Sequence, residues 1–249
     1  GFPYFENGGL EYLFGNWTRE NKFIPFWAHD RAEEKDAFVR FMTWVHQRMM
    51  QNPDAHIYHY ASYEQTALRR LSTRHGVMQT ELSELQRRGR FVDLYPIVLR
   101  SVRVGEPKYS IKNLENHYKF KREKIGDESV ATAADSIDGY EDWRLLTIKS
   151  GDLTQPIEVR ENAAKDAELL LDALMRYNRD DVKSTLWLHS WLMGMAGAAT
   201  LKPVAKPELT NEEEAKVLKA QEELDFLRDT TENLFAPLQG WEKGKDPEL

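Results

Sequence analysis

Tyr177-Asn178-Arg179-Asp180-Asp181-Val182-Lys183-Ser184-Thr185-Leu186 is the stretch around which the chain is organised. Tyr177 and Asp181 stand four residues apart, so on a helix they share one face a single turn apart. Val182, Leu186 and Met193 follow at helical spacing, and Leu188 and Leu192 widen the apolar stripe. The pattern predicts a helix that packs on a core and holds a phenol beside a carboxylate in its first turn. Such a pair can orient a water on a metal ion. Taken alone, the stretch is also satisfied by a helix that merely begins with polar residues.

A second stretch, His56-Ile57-Tyr58-His59-Tyr60-Ala61-Ser62-Tyr63-Glu64, reads as a short buried strand, a turn and a helix N-cap at Ser62. Glu64 falls in the first turn of that helix, where the helix dipole favours a carboxylate, so a capping role is the plain reading. Strand alternation puts His56, Tyr58 and Tyr60 on one face and Ile57 and His59 on the other. His56 and His59 are therefore poor joint ligands for zinc.

These stretches together resemble the DEDDy exonucleases of the ribonuclease-H-like superfamily, with a Tyr-x-x-x-Asp motif late in the chain and an acidic residue after a strand and turn. More closely, HIYHYASYEQTALRRL, FVDLYPIV, YSIKNLE and RYNRDDVKSTLWLHSWL resemble the predicted RecB-like nuclease family, from about Phe2 to Leu192. The resemblance implies an α/β ribonuclease-H-like fold with a mixed central sheet flanked by helices. It also implies a nuclease active on DNA or RNA, a 3′→5′ exonuclease by type, with Mg²⁺ or Mn²⁺ as cofactor. Glu64 and Asp181 take the positions of metal-binding acids, and Tyr177 that of the water-positioning tyrosine. His59 falls where many relatives carry an asparagine. The family's first motif, Asp-x-Glu, would lie immediately before Gly1 and is not in this sequence. Either the sequence starts inside the first strand or the protein lacks two acidic ligands, so these residues are expected to form an incomplete active site. The competing expectation is a module that keeps the fold, binds nucleic acid or acts as a scaffold, and does no chemistry.

The 249 residues suffice for one large domain, or a domain with an appendage, and 41% hydrophobic with 30% charged residues suits a globular protein. No apolar run reaches the roughly 20 residues of a membrane span, and the first residues do not form a signal peptide. The chain has no cysteine, which excludes disulfides, thiolate metal sites and a cysteine nucleophile, and makes the cytoplasm the simplest compartment. No Walker-type loop and no Gly-x-Ser-x-Gly elbow occurs, so the chain is not itself an ATPase. Hard oxygen donors without thiolates suit Mg²⁺ or Mn²⁺ rather than zinc.

The net charge of −7 hides an asymmetry: residues 66–124 hold 14 Lys and Arg against 6 Asp and Glu. Such a basic segment beside an acidic site suits phosphate binding, although about half of these charges are accounted for as solvated helix faces. Arg69 and Arg70 on an outer helix face, and Lys112 on a helix 110–118, are the candidate backbone contacts. Asp93, at the end of a strand, is either an acid near the metal site or an ordinary helix cap.

Along the chain the patterns predict paired strands at 10–15 and 23–28, and a helix from an Asp30 cap to about Met50. They then give a strand at 56–60, a helix from Ser62 ending near Gly76, and a polar helix from about Thr80 to Arg88. Residues 121–135 read as a mobile loop, 137–146 as a short helix anchored by Trp143, and 161–175 as a helix leading to Tyr177. A nuclease domain over 1–196 is followed by a linker and an acidic helical tail over 197–249. That tail suits a connection to a helicase or a second nuclease module.

Overall fold

A computed structural model describes residues 1–6, 8–123 and 133–198, all within one compact unit, Gly1–Ala198. Strand β1 (Leu13–Trp17) pairs antiparallel with β2 (Phe23–Trp27), Leu13 facing Trp27 and Trp17 facing Phe23. Asn21 closes the turn at φ 57°, a left-handed conformation that asparagine tolerates better than most residues. Pro25 faces Gly15 and has no N–H to donate, which suits β2 to an edge position.

Helix α1 (Arg31–Gln51) begins where Asp30 accepts the Glu33 amide at 2.8 Å. Phe38, Phe41, Met42 and Val45 recur at helical spacing and are buried against Phe26 of β2. Helices α2 (Tyr63–His75) and α3 (Gln79–Arg87) complete this cluster through Leu68, Leu71, Leu82 and Leu85. Gly76 ends α2 at φ 64°.

Strand β3 (Ile57–His59) runs parallel to β4 (Phe91–Asp93), with His59 facing Asp93. Helix α4 (Leu94–Ser101) follows directly, and α5 (Ile111–Leu114) is a single turn capped by Ser110. Leu94, Val98, Leu114, Tyr118 and Phe120 form a second cluster with Leu188. Helix α6 (Ala133–Gly151) and helix α7 (Ile157–Ala198) form a hairpin, whose turn is fixed by Asp152 accepting the Thr154 amide at 2.9 Å. Tyr140 of α6 and Leu174 of α7 bury a third cluster with Phe2, Leu10 and Tyr12. No helix among the described residues is long and apolar enough to cross a membrane.

Several expectations are corrected. The mixed sheet is present as two separate two-stranded sheets, one antiparallel and one parallel. Both rest on α7 through β1 and β3, and no described strand pairs between them. The helix predicted to start at Tyr177 is the middle of α7, because no glycine or proline interrupts residues 157–193. Met193 is exposed rather than buried, and Leu188 anchors the helix instead. The stretch at 194–198, expected to open the linker, is the last turn of α7. The helix at 137–146 extends to 133–151, whereas the one at 110–118 shrinks to α5. Most of the predicted loop at 121–135, and the tail from 199, lie outside the described residues.

Candidate functional site

Tyr177 and Asp181 are fixed by what α7 packs on. Leu174 and Leu188 are buried on either side of them, and Asn178 presses against Gly15 of β1. A methyl group at Gly15 would lie 1.7 Å from Asn178 Oδ1, so glycine here permits the close approach of helix to strand.

Facing this turn of α7 is a set of side chains on and after α5. Arg122 Nη2 lies 2.7 Å from Asp181 Oδ1 and donates to Glu115 Oε1 at 2.7 Å, while its Nε donates to Glu115 Oε2 at 3.0 Å. Glu115 is itself held, since Ser184 Oγ donates to Oε1 at 2.8 Å and Tyr118 meets Ser184 at 2.8 Å. Lys112 Nζ stands 4.7 Å from the centre of the Tyr177 ring, and the Arg122 guanidinium 5.7 Å from it. Two cations and the Asp181 carboxylate thus lie around one phenol, with Glu115 holding Arg122 in place.

The electrostatics follow from this packing. Burial pushes the Asp181 carboxyl above its usual range, against the opposing pull of Arg122 and Lys112. Burial, then the Asp181 charge, raises the Tyr177 phenol. Burial and the neighbouring Arg122 lower the Lys112 ammonium. For Arg122, burial acts downward but Glu115 and Asp181 prevail and hold it firmly charged.

His59, Glu64 and Asp93 form a second group at the ends of β3 and β4. Asp93 Oδ1 accepts the amides of Ala61 at 2.8 Å and Tyr95 at 2.9 Å, so it caps α4 and ties the β3–α2 turn to β4. Ala61 sits in that turn at φ 69°, a strained conformation for a residue with a Cβ. Glu64 is half-exposed, with its Oε2 3.6 Å from His59 Nδ1. The His59 ring is buried and bonds Ala61 O at 2.7 Å and Gln65 at 2.9 Å. Burial acts to lower its pKa, but Glu64 and the Ala61 carbonyl outweigh it and the net shift is upward.

Arg69 is exposed on α2, as expected for a backbone contact. Arg70 is not spare: it pairs with the buried Glu11, which also accepts from the Tyr63 hydroxyl at 2.9 Å. Sequence reasoning missed Glu11, Glu115, Arg122, Ser184 and Tyr118. Glu115 does close the YSIKNLE motif, and Ser184 lies three residues beyond Asp181, which is the signal that was there to be read.

The two groups of predicted residues are not joined by any hydrogen bond or ion pair among the described residues. Among these residues no group of three or more His, Asp or Glu is placed to hold a metal ion, and the enclosed Asp181 Oδ1 faces a guanidinium. They do not by themselves fit a two-ion centre.

No curated protein and no solved structure gives a significant match. A family profile does match, over residues 4–193, which takes in β1 to β4, the Arg122–Asp181 cluster and nearly all of α7. By that match over most of its length, the chain belongs to the RNase H superfamily.

Proposed function

We propose that residues 1–196 are the nuclease domain of a DEDDy-type 3′→5′ exonuclease of the predicted RecB-like family, hydrolysing phosphodiesters of DNA or RNA. Membership of the RNase H superfamily supports nuclease-type hydrolysis of nucleic acid. The observation that carries the finer reading is the Tyr177–Asp181 pair on α7, with Lys112 and Arg122 against the same ring. Asp181 and Glu64 are the acidic residues of the site, and Tyr177 positions the attacking water. Lys112, His59 and Arg69 contact the nucleic acid, whereas Asp93 serves the site by holding the Ala61 turn ahead of Glu64. Nucleases of this superfamily generally use divalent metal ions, here Mg²⁺ or Mn²⁺ on chemical grounds. The described residues do not form that centre, so no catalytic step is drawn through it. The acidic tail over 197–249 connects to a helicase or second nuclease module.

A second reading, binding without chemistry, draws support from the Arg122–Asp181 ion pair that closes the acid. The test uses 3′- and 5′-labelled single strands of DNA and RNA, with the 249-residue chain and with a version carrying Asp-x-Glu before Gly1. The expected result is little cleavage by the former and metal-dependent trimming from the 3′ end by the latter. That trimming should be lost in Asp181→Asn and lowered about 10²-fold in Tyr177→Phe. Binding without cleavage by both versions would favour the second reading. Full activity in Asp181→Asn would overturn the assignment.

A further inference from the structure

Trp187 of α7 is 45% exposed, although its ring meets that of the buried Phe120 at 5.7 Å with the planes 69° apart. Lys119 and Lys121 flank Phe120 in the chain, and both are exposed. Lys183 lies one turn before Trp187 on the same face of α7, its ammonium 5.3 Å from the centre of the Trp17 ring. None of the three lysines forms an ion pair among the described residues. The neighbouring Arg122 and Arg179, by contrast, are paired with Glu115, Asp181 and Glu123, so the uncompensated charge beside Trp187 is that of the lysines. Lys119 holds φ 57° at the chain reversal where the Phe120 amide donates to the Glu115 carbonyl at 3.0 Å. Glycine takes that left-handed conformation without strain, and lysine at this position keeps a charge beside Phe120 instead. An indole anchoring a protein partner would sit in a surround poor in lysine. An open indole among unpaired ammonium groups suits a polyanion that carries rings able to stack on it.

We propose that Trp187 is a stacking platform for one unpaired base of a single-stranded nucleic acid, and that Lys119, Lys121 and Lys183 take the phosphates beside it. Two residues past Phe120, Arg122 pairs with Asp181, so the platform lies on the segment that runs into the candidate site. A base must leave its duplex partner and neighbours to offer a face to an indole, which selects single strands over duplex. The inference rests on nucleic acid being the substrate, as proposed above, and narrows that substrate to its single-stranded form.

The test is fluorescence anisotropy of the 249-residue chain with labelled oligothymidylate, with an abasic strand of the same length, and with a duplex. The wild type should bind oligothymidylate tighter than either of the others. Trp187→Ala should weaken oligothymidylate binding by about tenfold or more and leave the abasic strand unchanged, whereas Trp187→Phe should keep most of the affinity. Lys119→Gln with Lys121→Gln should weaken both single strands and lower the salt slope by about one to two. Equal weakening of both strands by Trp187→Ala, or duplex bound as tightly as single strand, overturns the platform. If Trp187→Ala does not fold, the indole N–H NMR signal of Trp187, identified by its loss in Trp187→Phe, decides. It should move with oligothymidylate and not with the abasic strand, and a signal that stays fixed at saturation refutes stacking. Oligothymidylate binding that ignores the Trp187 and lysine changes removes the platform but leaves the nucleic-acid reading standing. Failure of the wild type to bind any strand at low salt removes that reading, and the platform with it.

Discussion

Replacing Glu34 should be among the most damaging single changes in this chain. Glu34 lies on the apolar face of α1, yet its side chain has no exposed surface. Its carboxylate accepts from the Glu11 amide at 2.7 Å, Arg31 at 2.9 Å, Arg74 at 3.1 Å and His75 Nε2 at 2.8 Å. Arg74 also donates to the carbonyls of Gly8 and Gly9, so the carboxylate ties the first eleven residues to α1 and α2. Glu34→Gln keeps the shape but removes the charge and turns an NH₂ toward donors, leaving two guanidinium groups without their counter-ion. Removing one partner of such a buried charged network costs about 3–5 kcal/mol. With urea slopes near 2 kcal/mol/M for chains of this size, the midpoint should fall by about 1.5–2.5 M. The pH dependence gives an independent check. Burial pushes the Glu34 carboxyl upward, but the four donors outweigh it and its pKa lies below the ordinary 4.5. A depressed carboxyl contributes stability above its unfolded value, and that contribution is lost as pH falls through the lower folded value. The gap between wild type and Glu34→Gln should therefore be full at pH 7 and narrow below about pH 4.5. Urea melts of both proteins from pH 7 to 3 measure it. A loss under about 1 kcal/mol at pH 7, or a gap that widens in acid, would refute this account of the network.

Gly15→Ala should destabilise by about 1–3 kcal/mol, because the new methyl meets Asn178 Oδ1 at 1.7 Å. Asn178→Ala in the same chain should recover most of that loss in a thermal melt, and no recovery would place the strain elsewhere. Arg69→Ala should weaken single-stranded DNA binding and flatten its salt dependence by about one ion, with the melting temperature unchanged. Arg70→Ala should instead lower the melting temperature, because it strips Glu11 of its cation. A reversal of the two phenotypes, read by fluorescence anisotropy and calorimetry, would show the roles misassigned.

The elements legible in the sequence are those whose ends carry local chemistry. Asp30 with Glu33 starts α1, and Gly76 in its left-handed conformation ends α2, by interactions within a few residues, whereas Ser62 begins α2 without a side-chain cap hydrogen bond. Tyr177 was readable as an acid's neighbour, though not as the middle of a 42-residue helix. Asn178, Arg179, Asp180 and Asp181 imitate a polar first turn, and only their packing shows otherwise. Asp180, for example, is buried and accepts the Glu123 amide at 2.9 Å. The two-sheet arrangement was likewise out of reach, since strand pairing depends on which partner is present and not on the strand's own pattern.

The charges of the basic segment teach more, because what the sequence presents as one surface is two populations. Arg74 and Arg122 turn inward and Arg70 reaches in from an exposed position, and each meets a carboxylate that is buried: Glu34, Glu115 and Glu11 respectively. Arg69, Arg87, Arg100, Arg103 and Lys108 are exposed and form no ion pair among the described residues. A count of Lys and Arg cannot separate the groups, because an arginine beside an apolar helix face reads alike whether a carboxylate waits opposite it or water does. The inward group neutralises acids that would otherwise be costly to bury, so its loss acts through stability. The outward group adds to the field felt by a polyanion, so its loss acts through binding and through salt dependence. Arg122 belongs to the inward population, yet it also reaches the proposed site. It is tied inward to Glu115 and stands beside Asp181, the acid proposed for catalysis, so at this one position the chemistry of folding and that of the substrate meet.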